Sequence, residues 1–175
     1  VTAVSVVASL VLAVHAAYAL ARFDFRGKTA LMFGILATSM IPGIAILVPL
    51  YNLSVKTGLY NTLTGMVIVY TAWNVPLLVW LLKGFFEKVP RELEEAAEID
   101  GCGPFAVFWR IILPLSKPAL IVVALFSFIS AWNDYLGPLI YINDQNRYVL
   151  ALGVEAMRST FQYNSTVANA YPYLM

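Results

Sequence analysis

Three stretches of the chain run without a charged side chain, Val1–Ala21, Thr29–Val55 and Thr57–Leu82, and a fourth such run opens at Pro118. A helix needs roughly 20 apolar residues to cross a bilayer. Four long apolar runs in one short chain argue against the buried helices of a soluble core. The pattern predicts an all-α, polytopic membrane protein with spans at about residues 2–21, 30–52, 62–82 and 118–142. A polar segment, 83–117, separates the third span from the fourth. After Ile142 the chain becomes polar and rich in Tyr and Asn. There "VLALGVEAMRSTFQ" predicts a short helix with Leu150, Val154 and Met157 on one face, either lying on the bundle or offering a docking surface.

Composition supports this picture. The 175 residues are 61% hydrophobic and 12% charged, with a mean hydropathy of +0.77, whereas a soluble domain carries about a quarter charged residues. Val1–Ala21 is read as a span and not as a signal peptide, because no basic leader precedes it and Arg22 follows it. The chain opens inside an apolar run and stops at "AYPYLM", where another run can begin, so residues 1–175 are expected to be one membrane domain truncated at both ends. A lone cysteine, Cys102, rules out a disulfide framework and a cysteine metal cluster. The net charge of +1 gives no ground for a nucleic-acid partner.

The cationic residues set an orientation. Arg22, Arg26, Lys28, Lys83, Lys88, Arg91, Arg110 and Lys117 fall on one side of the predicted spans, and Lys56, Arg147 and Arg158 on the other. The positive-inside rule puts segment 83–117 in the cytoplasm. Pro42, Pro49 and Pro76 lie inside spans, where bends are tolerated if neighbouring helices or cavity water re-satisfy the backbone. Gly34, Gly43 and Gly65 allow close helix contact, but no strong GxxxG signature is present.

The cytoplasmic segment is the most informative part of the chain. In "RELEEAAEIDGCGPFAVFWRIILPLSKPAL", Arg91–Asp100 reads as a short helix. Pro90 suits its first position, Glu92, Glu94 and Glu95 favour its positive end, and Gly101 can end it with a left-handed residue. Leu93, Ala96, Ala97 and Asp100 cluster on one side, with Arg91, Glu95 and Glu98 on the other. Small residues permit close approach of a partner backbone and carboxylates attract its cations, although a charge run by itself is usually a solvated face. The glycines of "GCGPF" form a turn. "AVFWRIILPLSKP" then reads as an interfacial helix broken by Pro114 and Pro118.

Glu95-Ala96-Ala97, three residues, Gly101, nine residues, Ile111, one residue and Leu113-Pro114 reproduce the spacing of the EAA loop of ABC importer permeases. With "YALARFDFRGK", "FEKVPRELEEAAEIDG" and "FSFISAWNDYLGPL", the chain resembles the permeases of binding-protein-dependent carbohydrate ABC importers of the maltose-transporter type. The resemblance covers essentially the whole chain. It implies a bacterial inner-membrane subunit that works with two ATP-binding subunits, a second permease subunit in a heterodimer, and an extracytoplasmic solute-binding protein delivering sugar. It also implies a further span after Met175 and one or more before Val1. In that family the EAA loop forms the coupling helix seated on the ATP-binding subunit. Carried over by position, Glu95 would meet a basic group there, Ala96 and Ala97 would pack closely, and Gly101 would make the turn.

Other constellations carry less. "GKT" at Gly27–Thr29 lacks the earlier glycine of a phosphate-binding loop, since Arg22 occupies that position, so ATP is expected on a separate chain and no cofactor in this one. Asn133 and Asp134 in the fourth span, and Trp73 and Asn74 in the third, are candidates for a sugar path: polar groups for hydroxyls, an aromatic face for a ring. For Asp134 a bond to a neighbouring helix is the competing role. His15 is read as bonded to a neighbouring helix. No nucleophile or metalloprotease motif points to an enzyme. The sequons at Asn52 and Asn164 are expected to be unmodified. An ion-driven secondary transporter would carry intramembrane charges in several spans, and only Asp134 is visible. A non-transporting scaffold would not need the EAA spacing.

Overall fold

The computed structural model describes the backbone of residues 1–170 and the side chains of residues 1–162. The described residues form helices without strands. The first is α1 (Thr2–Arg22), followed by α2 (Lys28–Ser39), α3 (Gly43–Lys56) and α4 (Leu63–Phe86). A short α5 (Glu92–Ile99) leads to an arm built of α6 (Pro104–Val107), a π-helical turn (Phe108–Ile112) and α7 (Leu113–Leu115). The chain closes with α8 (Lys117–Asn133), α9 (Leu136–Tyr141), a 3-10 turn (Gln145–Arg147) and α10 (Leu150–Ala170).

Two helices, α1 and α4, are each long and apolar enough to cross a membrane alone. The expected continuous span over 30–52 is instead two helices whose axes differ by 96°. The break falls at Met40–Pro42, where Pro42 leaves the helical region with ψ 128° and Gly43 starts α3. Counting each bent helix pair as one crossing gives up to four. The expected span over 118–142 also divides: α8 stops at Asn133 because Asp134 is extended, and α9 restarts at Leu136. Pro49 and Pro76 lie within α3 and α4 without ending them.

Two apolar clusters mark the two ends of the bundle. One joins Ala17 and Leu20 of α1 to Leu82 and Phe86 of α4, with Ile112 of the arm and Val123 of α8. The other joins Met66 and Tyr70 of α4 to Ala131, Tyr141 and Ile142, with Leu47 and Tyr51 of α3 against them. α1 and α4 therefore run parallel, α8 runs against them, and the α2–α3 pair returns the chain from the first end to the second.

The tight α1–α4 contact has a specific cause. Ser5, Ser9, Ala13 and Ala17 are each 0% exposed and Ala21 is 5% exposed, at a spacing of four residues along one face. Lipid tails are as apolar as leucine, so association in a bilayer depends on close van der Waals packing, which small residues allow. The close contact needs no GxxxG signature: serine and alanine at a spacing of four supply it. Ala13→Leu adds volume where none is free and is expected to cost about 1–3 kcal/mol. Denaturation in mixed micelles should show earlier unfolding of this variant than of Val11→Leu, whose side chain is exposed.

At the second end the loops are clasped. Thr62 caps α4 by accepting from Gly65 N–H at 3.0 Å, and its hydroxyl donates to Leu59 C=O at 2.7 Å. Asn61 adopts φ +56°, and its Oδ1 accepts from Asn143 and Asp144 N–H at 3.0 and 3.1 Å. Arg147 donates to the Asn61 carbonyl. α10 lies next to this end. The expected face Leu150, Val154, Met157 is exposed, and Leu152, 3% exposed, is buried instead. The Asn164 sequon and "AYPYLM" lie outside the residues whose side chains are described.

Candidate functional site

α5 begins later than the sequence suggests. Arg91 is the residue before the first helical turn, and Pro90 lies outside the helix, where its carbonyl accepts from Leu93 N–H. Glu92, Glu94 and Glu95 occupy the first turn, next to the positive end of the helix dipole. At the other end Cys102 N–H donates to Ala97 C=O at 2.9 Å and Gly101 N–H to Glu98 C=O at 3.0 Å. This paired closure satisfies carbonyls that the helix leaves open and needs a left-handed residue, which Gly101 provides at φ +84°.

The faces of α5 differ from the expected ones. Ala97 is buried and the Glu94 side chain is only 15% exposed, so these two face the bundle. Leu93, Glu95, Ala96, Glu98 and Asp100 are exposed. The expected cluster of Leu93, Ala96, Ala97 and Asp100 is therefore split, with Ala97 turned inward and the others outward. Two apolar residues overlooked in the sequence flank the Gly101 turn: Ile99 is 87% and Phe105 84% exposed. The sequence places them locally, with Ile99 two residues before Gly101 and Phe105 following Pro104. α5 thus presents small, acidic and apolar groups side by side on a surface that nothing among the described residues covers.

Of the remaining residues of the EAA spacing, Ile111 and Leu113 face inward and Pro114 does not. Ile111 and Leu113 pack against the first apolar cluster. Pro114 is exposed and sits in the first turn of α7, so it does not break the arm. The helix accommodates it by widening: Leu113 N–H reaches Phe108 C=O, five residues back, in a π-helical turn. Such turns concentrate at functional positions. The break falls after Leu115, where the arm and α8 differ by 72°, around the fully buried Ser116, whose hydroxyl donates to Ile112 C=O at 2.6 Å. His15 lies beside this arm, its ring 5.5 Å from that of Phe108, with Nδ1 2.7 Å from Val11 C=O. At the start of α2, Lys28 donates to Asp24 at 3.0 Å and holds that carboxyl below its ordinary range.

Within the bundle, Trp73, Asn74, Asn133 and Asp134 converge on one cavity of about 530 Å³, beside Tyr70 and Ser130. Trp73 and Asn74 also line an adjoining cavity of about 720 Å³ between α3, α4 and α8. Asn74 is buried and its Nδ2 donates to Tyr70 C=O at 2.9 Å. The Trp73 ring passes Gly43 so closely that an added Cβ there would lie 2.9 Å from it. Asp134 accepts from Gly137 N–H at 3.3 Å; this local bond terminates α8 and starts α9. The carboxylate therefore has a structural task as well as a place on the cavity wall.

A helical membrane fold with a short acidic helix projecting from its basic end defines the class, and comparison with known proteins supplies the family. Residues 6–175 match the family described as "Binding-protein-dependent transport system inner membrane component", and the chain belongs to it. It is 36% identical over 162 residues to the probable ABC transporter permease protein YurM of Bacillus subtilis, covering 93% of this chain and 54% of that one. It is 40% identical over 161 residues to the maltose/maltodextrin transport system permease protein MalG of Yersinia pestis, covering 89% and 52%. Among solved structures, a chain of a bacterial ABC transporter that imports the acidic polysaccharide alginate superposes with a TM-score of 0.72 at 30% identity, over 82% of this chain and 50% of the other. The chain spans about half the length of the curated relatives it matches.

Proposed function

We propose that this chain forms part of the permease subunit of an ATP-driven, binding-protein-dependent carbohydrate importer. α5 serves as its coupling helix on the cytoplasmic side. The observation that carries the reading is the outward face of α5, with Glu95 and Ala96 exposed and the helix closed by Gly101. Relatives named for maltose, trehalose and diacetylchitobiose support the carbohydrate class. Glu95 pairs with a cation of the ATP-binding subunit, Ala96 lets the two backbones approach, and Ile99 and Phe105 supply apolar contact around the turn.

Transport runs by alternating access. A solute-binding protein presents sugar at the outer face to a pair of permease subunits, here a heterodimer. Two ATP-binding subunits close on ATP and displace the coupling helices. ATP shifts the balance of states only through contacts that differ between them, and those contacts pass through α5. The cavity lined by Trp73, Asn74, Asn133 and Asp134 lies on the route, where an aromatic face and amide groups suit a sugar ring and its hydroxyls. The test is uptake of labelled maltose or trehalose into proteoliposomes holding the complete transporter, with binding protein outside and ATP inside. Uptake should persist when a protonophore abolishes the ion gradient and stop when ATP is removed. Loss with the protonophore while ATP remains would assign the chain to gradient-driven transport.

A further inference from the structure

The end of α1 holds α5 in place. Arg22, the last residue of α1, meets Glu94 of α5 in an ion pair whose side chains are only 7% and 15% exposed. The Arg22 Nη2 also donates to Val89 C=O at 3.0 Å, in the link between α4 and α5. The Tyr18 hydroxyl, one turn earlier in α1, donates to the second Glu94 oxygen at 3.3 Å. Ala97, one turn beyond Glu94, enters the apolar cluster that α1 and α4 share. Isolated helices below about 12 residues are marginal in water, so the eight residues of α5 depend on this anchor for shape and position. Removing one partner of a buried pair leaves an uncompensated charge.

The other route out of α5 is different in kind. The arm toward α8 contains the π-helical turn at Phe108–Ile112 and the 72° bend after Leu115. One route is thus an ion pair onto α1, itself packed on α4, and the other is an arm with a π-helical turn and one sharp bend.

We propose that Arg22 and Glu94 are positioning residues that make α5, α1 and α4 move as one body, so that displacement of α5 reaches the membrane through α1 and α4 and not through the arm. This rests on the reading of α5 as the contact for an ATP-binding subunit. The experiment uses the complete reconstituted transporter and reads sugar transported per ATP hydrolysed. It also measures cross-linking of a Glu92→Cys probe, in a Cys102→Ser background, to the ATP-binding subunit. Arg22→Gln and Glu94→Gln should keep the cross-link and ATP hydrolysis while transport per ATP falls about tenfold, within the usual range of coupling between sites. Glu94→Asp, which keeps the charge, should retain most transport. The exchange Arg22→Glu with Glu94→Arg should recover transport to within about threefold of the unsubstituted protein.

An unchanged ratio in both single variants overturns the proposal. So does an exchange variant that assembles and cross-links yet transports no better than the single variants. Should the single variants fail to assemble, the exchange variant decides by the same ratio. A probe that never cross-links even in the unsubstituted transporter refutes the coupling role of α5 itself, a separate failure.

Discussion

Gly101→Val is expected to reduce ATP-driven uptake by about tenfold or more while the subunit still inserts and assembles in the membrane. The argument is conformational. Gly101 sits at φ +84°, and beyond its two chain neighbours an added Cβ would meet no atom of the described residues within 4 Å. The substitution therefore overfills nothing inside the subunit. It places a β-branched residue in the left-handed region, at a cost of roughly 1–2 kcal/mol, and every 1.4 kcal/mol is about a factor of ten in an equilibrium. The two hydrogen bonds that close α5, from Gly101 and Cys102, are what that cost disrupts. Asparagine tolerates the left-handed region far better than valine, so Gly101→Asn should retain most uptake. Should Asn and Val fail equally, the open space beside Gly101 is taken up by the ATP-binding subunit and contact, not backbone strain, governs the loss. Normal uptake by Gly101→Val would remove Gly101 from the coupling path. Uptake in reconstituted vesicles, with binding protein outside and ATP inside, measured alongside subunit yield, makes the test.

The sequence made some of this legible and concealed the rest for identifiable reasons. The runs that contain α1 and α4 are uniformly apolar, and hydropathy alone places those helices closely. It cannot see a change of direction, so the 96° break between α2 and α3 was hidden inside an uncharged run, although the Pro42-Gly43 step that marks it is plain in the sequence. The small-residue face of α1 carries no glycine signature, because serine and alanine do the same work there. On α5, the helical period grouped residues correctly into neighbours but could not say which face turns inward. The decision lies with Glu94, because its partner Arg22 is supplied by the far end of another helix, and no local pattern carries that information. Each of the four cavity residues is legible in the sequence only singly, by its chemistry. Their convergence depends on α4 and α8 packing side by side, a tertiary fact.

That difference between the two faces of α5 separates its two alanines, and Ala96→Trp should expose it. Ala96 is exposed and Ala97 is 6% exposed, so a large side chain at 96 leaves the bundle untouched, whereas one at 97 must displace the first apolar cluster. Ala96→Trp is expected to lower co-purification of the ATP-binding subunit about tenfold or more, the effect of losing roughly 1.4 kcal/mol of contact, with no change in the stability of the permease subunit itself. Ala97→Trp is expected to lower both, since overpacking a filled core costs about 1–3 kcal/mol. Glu95→Lys should fall between wild type and Ala96→Trp. It replaces attraction by repulsion at an exposed pair worth about 0.2–1 kcal/mol, and its deficit should shrink in high salt because exposed charges are screened there, while that of Ala96→Trp should not. Retention of the ATP-binding subunit on the tagged permease, measured at low and high salt beside thermal stability of the permease alone, distinguishes these cases. Full retention by Ala96→Trp would mean that the ATP-binding subunit does not seat on the outward face of α5, and the contact would have to be sought elsewhere on the basic end of the bundle.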